Sequence, residues 1–238
     1  MASREFPKTY LTFEGRKVVD GKKRQYWVQD ATEDMFQEIE DLIVTKFVGD
    51  EPTTKYMNCL DDPVSLQEFR VLWAKVLQEK HTIVCLTKDD QNNTKLAGFN
   101  VLTESKADEK VDYPATGECA KKLFTIFKWI EAQRDFHTEF KVPRIMKALG
   151  LFVLPGYRGE GLGERILEAR EYICRYLGFP ATLTAFTSII SQKLAARVGF
   201  KDFYCIDYEE LGRIDKAMHI PDIHNHTKTM KYMYKIYD

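Results

Sequence analysis

The residues best suited to chemistry in this chain stand at 158–163: Arg158, Gly159, Glu160, Gly161, Leu162 and Gly163. Glycine lets a ligand approach the backbone closely and permits positive φ. Just before this hexad runs an apolar stretch, Leu151, Phe152, Val153 and Leu154, followed by Pro155-Gly156-Tyr157. Just after it, Leu162, Ile166 and Leu167 fall on one side of a helical pattern. A strand, a glycine turn and a helix start present bare amide N–H groups to an anion, and the helix dipole adds positive potential there. Three phosphate-binding patterns compete. A P-loop is excluded because Glu164, not lysine, follows Gly163, and a dinucleotide fingerprint needs a third glycine where that Glu164 stands. The pattern Arg/Gln-x-x-Gly-x-Gly/Ala is matched in full by Arg158 to Gly163. A glycine-rich turn with no ligand is the alternative, and the flanking strand and helix weigh against it.

A second stretch, Asp50-Glu51-Pro52, places a carboxylate in a fixed bend. Proline disfavours a helical backbone at the residue before it, so Glu51 is expected to be extended. Taken alone, such an acid is a solvated loop residue.

The elements that must position these residues follow from periodicity. Residues 1–23 are polar and expected to be peripheral. A first strand is predicted over 25–29, with Tyr26, Trp27 and Val28. Asp30 with Glu33 three places on predicts a capping box, and Phe36, Ile39, Ile43 and Phe47 a helical face stopped by Gly49. Asp62-Pro63 predicts a second helix start, with Leu66, Phe69, Trp73, Val76 and Leu77 inside. Strands over 82–87 and 95–103 form a hairpin, and 104–119 is a charged insertion without a core signal. A helical face returns over 120–140, then come the strand 145–154, a helix to Leu177 closed by Gly178, a strand over 181–186, a helix over 188–198 capped by Gly199, and strands over 200–208 and 227–237. The sum is one α/β domain over 24–238, a mixed central sheet of about seven strands flanked by helices.

Composition narrows the function. With 238 residues and 44% hydrophobic residues the chain can bury a large core. A formal net charge of −1 offers no basic excess for nucleic acid. No apolar run is long enough for a membrane span and the first residues carry no signal core, so a cytoplasmic protein is expected. Five cysteines, scattered and without a C-x-x-C pair, suggest reduced thiols. His224-x-His226 lacks a third ligand, so no metal is expected.

The hexad after its strand resembles the acetyl-CoA site of the GCN5-related N-acetyltransferases (the GNAT superfamily), and the element order fits that resemblance. Ser191-Gln192-Lys193-Leu194 followed by Arg197-Val198-Gly199-Phe200, together with Asp50-Glu51-Pro52, is similar to the arylalkylamine N-acetyltransferase-like enzymes of insects. Thr187 stands where such enzymes often have a serine, keeping the hydroxyl. The resemblance implies acetyl transfer from acetyl-CoA to a small primary amine, by direct attack in a ternary complex. An alkylammonium has a pKa of about 10.4, so a base must remove its proton. Glu51 is the candidate, directly or through a water, as an acid beside a desolvated cleft. The strand Leu151, Phe152, Val153, opened by a bulge, would bind the pantetheine arm and the oxyanion, and Arg158 to Gly163 would hold the diphosphate. Arg158 could instead form a structural salt bridge. Ser191, with Thr187, would protonate the leaving thiolate or only bind the cofactor. Phe47, Pro52, Phe186 and His226 are candidate acceptor contacts, as are Tyr56 and His224. The acid-rich first helix (Glu33, Asp34, Glu38, Glu40, Asp41) could favour polyamines or agmatine. A protein amine as acceptor, and a non-catalytic acyl-CoA-binding module, are the other readings.

Overall fold

The computed structural model describes residues 4–19, 21–109 and 114–237, so part of the charged stretch 104–119 lies outside the described residues. Eight strands form one sheet: β1 (Thr9–Val19), β2 (Lys22–Asp30), β3 (Ile83–Lys88), β4 (Thr94–Lys106), β5 (Arg144–Val153), β6 (Ala181–Phe186), β7 (Lys201–Asp207) and β8 (Thr229–Ile236), in the order β1-β2-β3-β4-β5-β6-β8-β7. Neighbours are antiparallel except β5 and β6, which run parallel. The strand beyond the seven expected is β1, from the stretch read as peripheral. Its Tyr10, Leu11 and Phe13 pack onto the core while Thr9, Thr12 and Glu14 face water, a half-buried edge strand with a register shift at Tyr10.

The helices are α1 (Phe36–Leu42), α2 (Val48–Asp50), α3 (Pro52–Tyr56), α4 (Pro63–Leu77), α5 (Glu118–Glu131), α6 (Phe136–Phe140), α7 (Leu162–Leu177), α8 (Ile189–Arg197) and α9 (Tyr208–Ile214). They cover both sheet faces. On β3, Val84 and Leu86 join the core under α1, α4 and α5, whereas Ile83 and Cys85 join the core under α7. A strand buried on both faces reads as a continuous apolar run, which is why Ile83 to Leu86 does not alternate.

Several local expectations are corrected. Asp30 caps no helix. It is fully buried and accepts hydrogen bonds from Lys8 N (2.9 Å), Tyr10 Oη (2.9 Å) and Arg4, so it ties β1 to the sheet. Burial pushes its carboxyl above the usual range, against the pull of those donors. Gly49 does not stop the first helical run: α1 passes through a π turn (Ile43–Phe47) into α2, and the run ends at Glu51 (φ −69°, ψ 127°), where Pro52 forces the backbone out. Residues 120–140 split into α5 and α6. The cysteines are not all reduced: Cys59 and Cys119, 60 positions apart with Cα atoms 5.5 Å apart, form a disulfide, while Cys85 and Cys174 are buried thiols. That pairing depends on how α3, α4 and α5 pack, which no spacing rule reveals. No helix among the described residues is long and apolar enough to cross a membrane.

Asp62 caps α4 as expected, accepting from Ser65 N (3.0 Å), and also accepts from Cys119 N (3.0 Å) at the start of α5. The Cys119 N–H, then the Ser65 donors, pull its carboxyl down to about 2. A depressed carboxylate contributes stability that is full above its unfolded pKa, near 3.9, and lost as pH falls through the folded value. Asp62→Ala is expected to cost about 1 kcal/mol at pH 7. Thermal unfolding should show that difference shrinking between pH 4 and 2; a constant offset across that window would refute the assignment.

Candidate active site

The glycine loop is built as its residue types require. Pro155–Tyr157 make one 3-10 turn, Gly159 and Gly161 sit at φ +85° and +82°, and α7 starts at Leu162 with Gly161 as its cap. A glycine N-cap supplies no side chain, so the first amides of α7 stay bare. Gly163 lies close beneath α8, where a Cβ would stand 3.2 Å from Leu194. Arg158 pairs with Asp50 (2.8 Å) and its Nε donates to the Val153 carbonyl (3.2 Å), so the salt-bridge alternative holds for its side chain. Glu160 points inward, is nearly buried and accepts from Lys17 N (2.9 Å), which makes its carboxylate an anchor of the loop.

Ahead of the loop, β5 opens. Leu151, Phe152 and Val153 pair with Asn100, Phe99 and Gly98 of β4, whereas the ladder to β6 holds only Met146 and Lys147. Past Ala148 the β6-facing edge of β5 is therefore without a ladder partner. The bulge falls at Leu149 and Gly150, just before the expected Leu151 to Val153, with Gly150 at φ +140°. Trp73 Nε1 donates to the Leu149 carbonyl (2.9 Å) and Asn100 Nδ2 to the Gly150 carbonyl (2.8 Å). Behind Asn100 lies Arg170, fully buried, whose Nε (2.9 Å) and Nη2 (2.7 Å) donate to Asn100 Oδ1 and whose Nη1 donates to Thr184 Oγ1 (2.7 Å). The guanidinium fills the gap where β5 and β6 part. Trp73 was legible only as core; Asn100 and Arg170 carried no sequence signal.

Glu51 is half-buried and caps α3. Its carboxylate accepts from Thr53 N (3.0 Å), Thr54 N (2.8 Å) and Thr53 Oγ1, while the Thr54 hydroxyl lies nearest the Val48 carbonyl (2.7 Å). Water lost around the acid is thus made good by three protein donors. Beyond it, the fully buried Tyr208 donates to the Thr187 carbonyl (2.9 Å); burial, with Glu51 nearby, holds its hydroxyl protonated well above the usual range. Ser191 is engaged in a capping box: its Oγ accepts from Ser188 N (3.3 Å) and its N–H donates to Ser188 Oγ (3.1 Å), while the Oγ proton goes to the Ser188 carbonyl (2.9 Å). Ser188 is the cap that sequence reasoning missed.

These parts meet in one cavity of about 1050 Å³. Glu51, Pro52, Phe47, Phe186, Thr187, Ser191 and His226 line it, as do Leu151, Phe152, Val153, Arg158, Gly159, Gly161, Leu162 and Gly163. Of the predicted site residues Glu160, Tyr56 and His224 lie outside that lining. Phe47, Phe69, Trp73, Phe124 and Phe127 make an aromatic wall, and Phe47 meets Trp73 and Phe152 edge-on with centroids 6.3 Å and 6.0 Å apart. Lys121, Lys128, Lys147, Glu104 and Glu131 also line the cavity. Tyr56 packs behind His226 (6.0 Å between rings), and His224 turns to Glu209 (3.8 Å). The acids of the first helix do not line the cavity; Glu40 and Asp41 face Arg70, and Glu33 pairs with Lys80. No cysteine lines it among the described residues, and burial pushes the Cys85 and Cys174 thiols up to about 12.

No protein-family model and no curated sequence matches the chain. Solved structures do. One, designated insect arylalkylamine N-acetyltransferase 7 of the yellow fever mosquito Aedes aegypti, is 27% identical with a TM-score of 0.92, over 100% of this chain and 98% of that one. Arylalkylamine N-acetyltransferase 2 of Aedes aegypti is 19% identical with a TM-score of 0.75, over 90% and 99%. A Drosophila melanogaster polyamine N-acetyltransferase that forms N-acetylagmatine shares the fold at 14% identity and a TM-score of 0.70, over 89% and 100%. With its opened strand, glycine loop and mixed sheet, this chain is an acyltransferase of the GNAT superfamily. Within that superfamily it is similar, over its full length, to an insect arylalkylamine N-acetyltransferase.

Proposed function

We propose that the chain acetylates a small arylalkylamine, taking the acetyl group directly from acetyl-CoA in a ternary complex. The observation that carries this is the single cavity joining the bare amides of the glycine loop to the Glu51 carboxylate along the open edge of β5. Acetyl-CoA lies with its diphosphate on the amides of 159–163 and its pantetheine arm along Leu151 to Val153, as an added strand. Glu51 draws the alkylammonium in and takes its proton, directly or through a water. The amine nitrogen then attacks the thioester carbonyl, whose oxyanion faces amides at the β5 bulge. The C–S bond breaks, and the thiolate, akin to a thiol of pKa about 8.5, leaves without needing a strong acid and takes up the second proton lost by the attacking nitrogen. We assign Ser191 to cofactor binding through α8, because its hydroxyl is committed to the capping box. Phe47, Pro52, Phe186 and the aromatic wall receive the aryl group, and His226 stands at the rim.

The aromatic wall of Phe47, Phe69, Trp73, Phe124 and Phe127 suits an aryl group on the acceptor, and Lys147 in the same lining is paired with Glu131 (2.7 Å). Thiol release from acetyl-CoA should therefore be faster, in kcat/KM, with dopamine, serotonin, tryptamine or tyramine than with agmatine or spermidine. The reverse order would replace the arylalkylamine by a polyamine, turnover of a histone peptide alone would make the acceptor a protein amine, and coenzyme A binding without turnover of any amine would leave a binding module.

A further inference from the structure

The edge strand β1 reaches the glycine loop. Its register with β2 shifts between Glu14 and Val18, and Gly15, Arg16 and Lys17 leave the ladder there. The bulge closes onto residues 158–164. Lys17 N donates to Glu160 Oε2 (2.9 Å), and Lys17 Nζ donates to the Arg158 carbonyl (2.6 Å). Arg16 Nη2 donates to Glu164 Oε2 (2.8 Å). The fit is close: a Cβ on Gly15 would stand 2.5 Å from Glu160 Oε2 and 2.8 Å from the Tyr26 ring, so a side chain there would displace the Glu160 carboxylate. The Arg16 guanidinium lies over Gly161, where an added Cβ would meet its Nε at 2.7 Å, and Arg16 lines the cavity.

The charges around the loop show why this matters. A loop built to receive an anion carries Glu160 and Glu164 and adjoins Asp50. Arg158 is taken up by Asp50 at 2.8 Å, and Arg197 stands 3.9 Å from Glu164. A diphosphate on the amides of 159–163 would add negative charge beside Glu164 at the start of α7. Arg16, 62% exposed and already between that carboxylate and the loop, is the cation placed to answer it. A guanidinium can serve a carboxylate and a phosphate oxygen at once through its separate N–H groups.

Resting on the reading of this loop as a coenzyme A site, we propose that Arg16 is a further cofactor-binding residue, donating to phosphate oxygens of acetyl-CoA while Gly15 and Lys17 hold the bulge in place. Arg16→Ala and Arg16→Lys should be compared with the wild type by calorimetric titration of coenzyme A, dephospho-coenzyme A and pantetheine. Arg16→Ala is expected to bind coenzyme A about tenfold more weakly, with a shallower dependence on salt, and Arg16→Lys to recover part of that loss. An equal loss with dephospho-coenzyme A puts the contact on the diphosphate, and a loss confined to coenzyme A puts it on the 3′-phosphate; pantetheine, which lacks both, should bind all three proteins alike. Affinity for coenzyme A within twofold of wild type in Arg16→Ala, tighter binding, or an equal loss for pantetheine would overturn the assignment. A folded wild type that binds none of the three ligands would instead overturn the reading of the loop itself, and this inference with it.

Discussion

Replacing Glu51 by glutamine is expected to lower kcat/KM for an arylalkylamine by roughly 100- to 10,000-fold, the usual contribution of a positioned base. Glutamine is the informative choice. The Glu51 side chain also caps α3 through Thr53 and Thr54, and alanine would add a folding cost of about 1 kcal/mol from the lost cap. Glutamine keeps an acceptor oxygen for one of those two amides, which bond to different carboxylate oxygens, while removing the proton-accepting charge. The pH profile separates the roles. An acid limb of kcat/KM present in the wild type should be lost in the variant, which should keep only the rise that follows the amine's own deprotonation, near pH 10.4. An unchanged profile, or a rate within twofold of wild type, would leave Glu51 as a helix cap and no more.

The second large effect is expected at Gly161. Its φ of +82° is a conformation that a β-branched residue strongly resists, and a Cβ there would stand 2.7 Å from Arg16 Nε, displacing the guanidinium proposed to meet the diphosphate. Gly161→Val should weaken coenzyme A binding at least 100-fold by titration, with a stability loss of about 1–2 kcal/mol from the strained backbone. Gly156 offers the control within the same loop: its backbone is not left-handed, and an added Cβ would meet nothing within 4 Å. Gly156→Ala should therefore bind coenzyme A as the wild type does. Normal affinity in Gly161→Val would move the cofactor off this loop, and equal losses in both variants would mean that the loop tolerates no change for reasons unrelated to phosphate.

The legible features are those whose cause is local. Glycines at 159, 161 and 163 needed no tertiary contact to announce a turn before a helix, and two of them take positive φ. Asp62-Pro63 starts a helix because side chain and ring act within one turn. The cap at Glu51 was also within reach, since Glu-Pro-Thr-Thr is itself a helix start: an acceptor side chain, then proline, then two amides to receive. Asp30 misled because the same acid that suits a helix cap suits a buried junction, and only the approach of Arg4, Lys8 and Tyr10 decides between them.

The chain's order thus determined by itself where the backbone turns, where helices start and which segment offers bare amides, because each depends on the few residues around it. What only the tertiary structure decided is which distant groups share a space. Cys59 meets Cys119. Arg170, on what reads as an ordinary amphipathic helix, is enclosed where β5 and β6 diverge. A stretch that looked dispensable sends Arg16 across the glycine loop. Those pairings depend on strand order, register and helix packing, which follow from burying the whole apolar surface at once and cannot be assigned to any one segment.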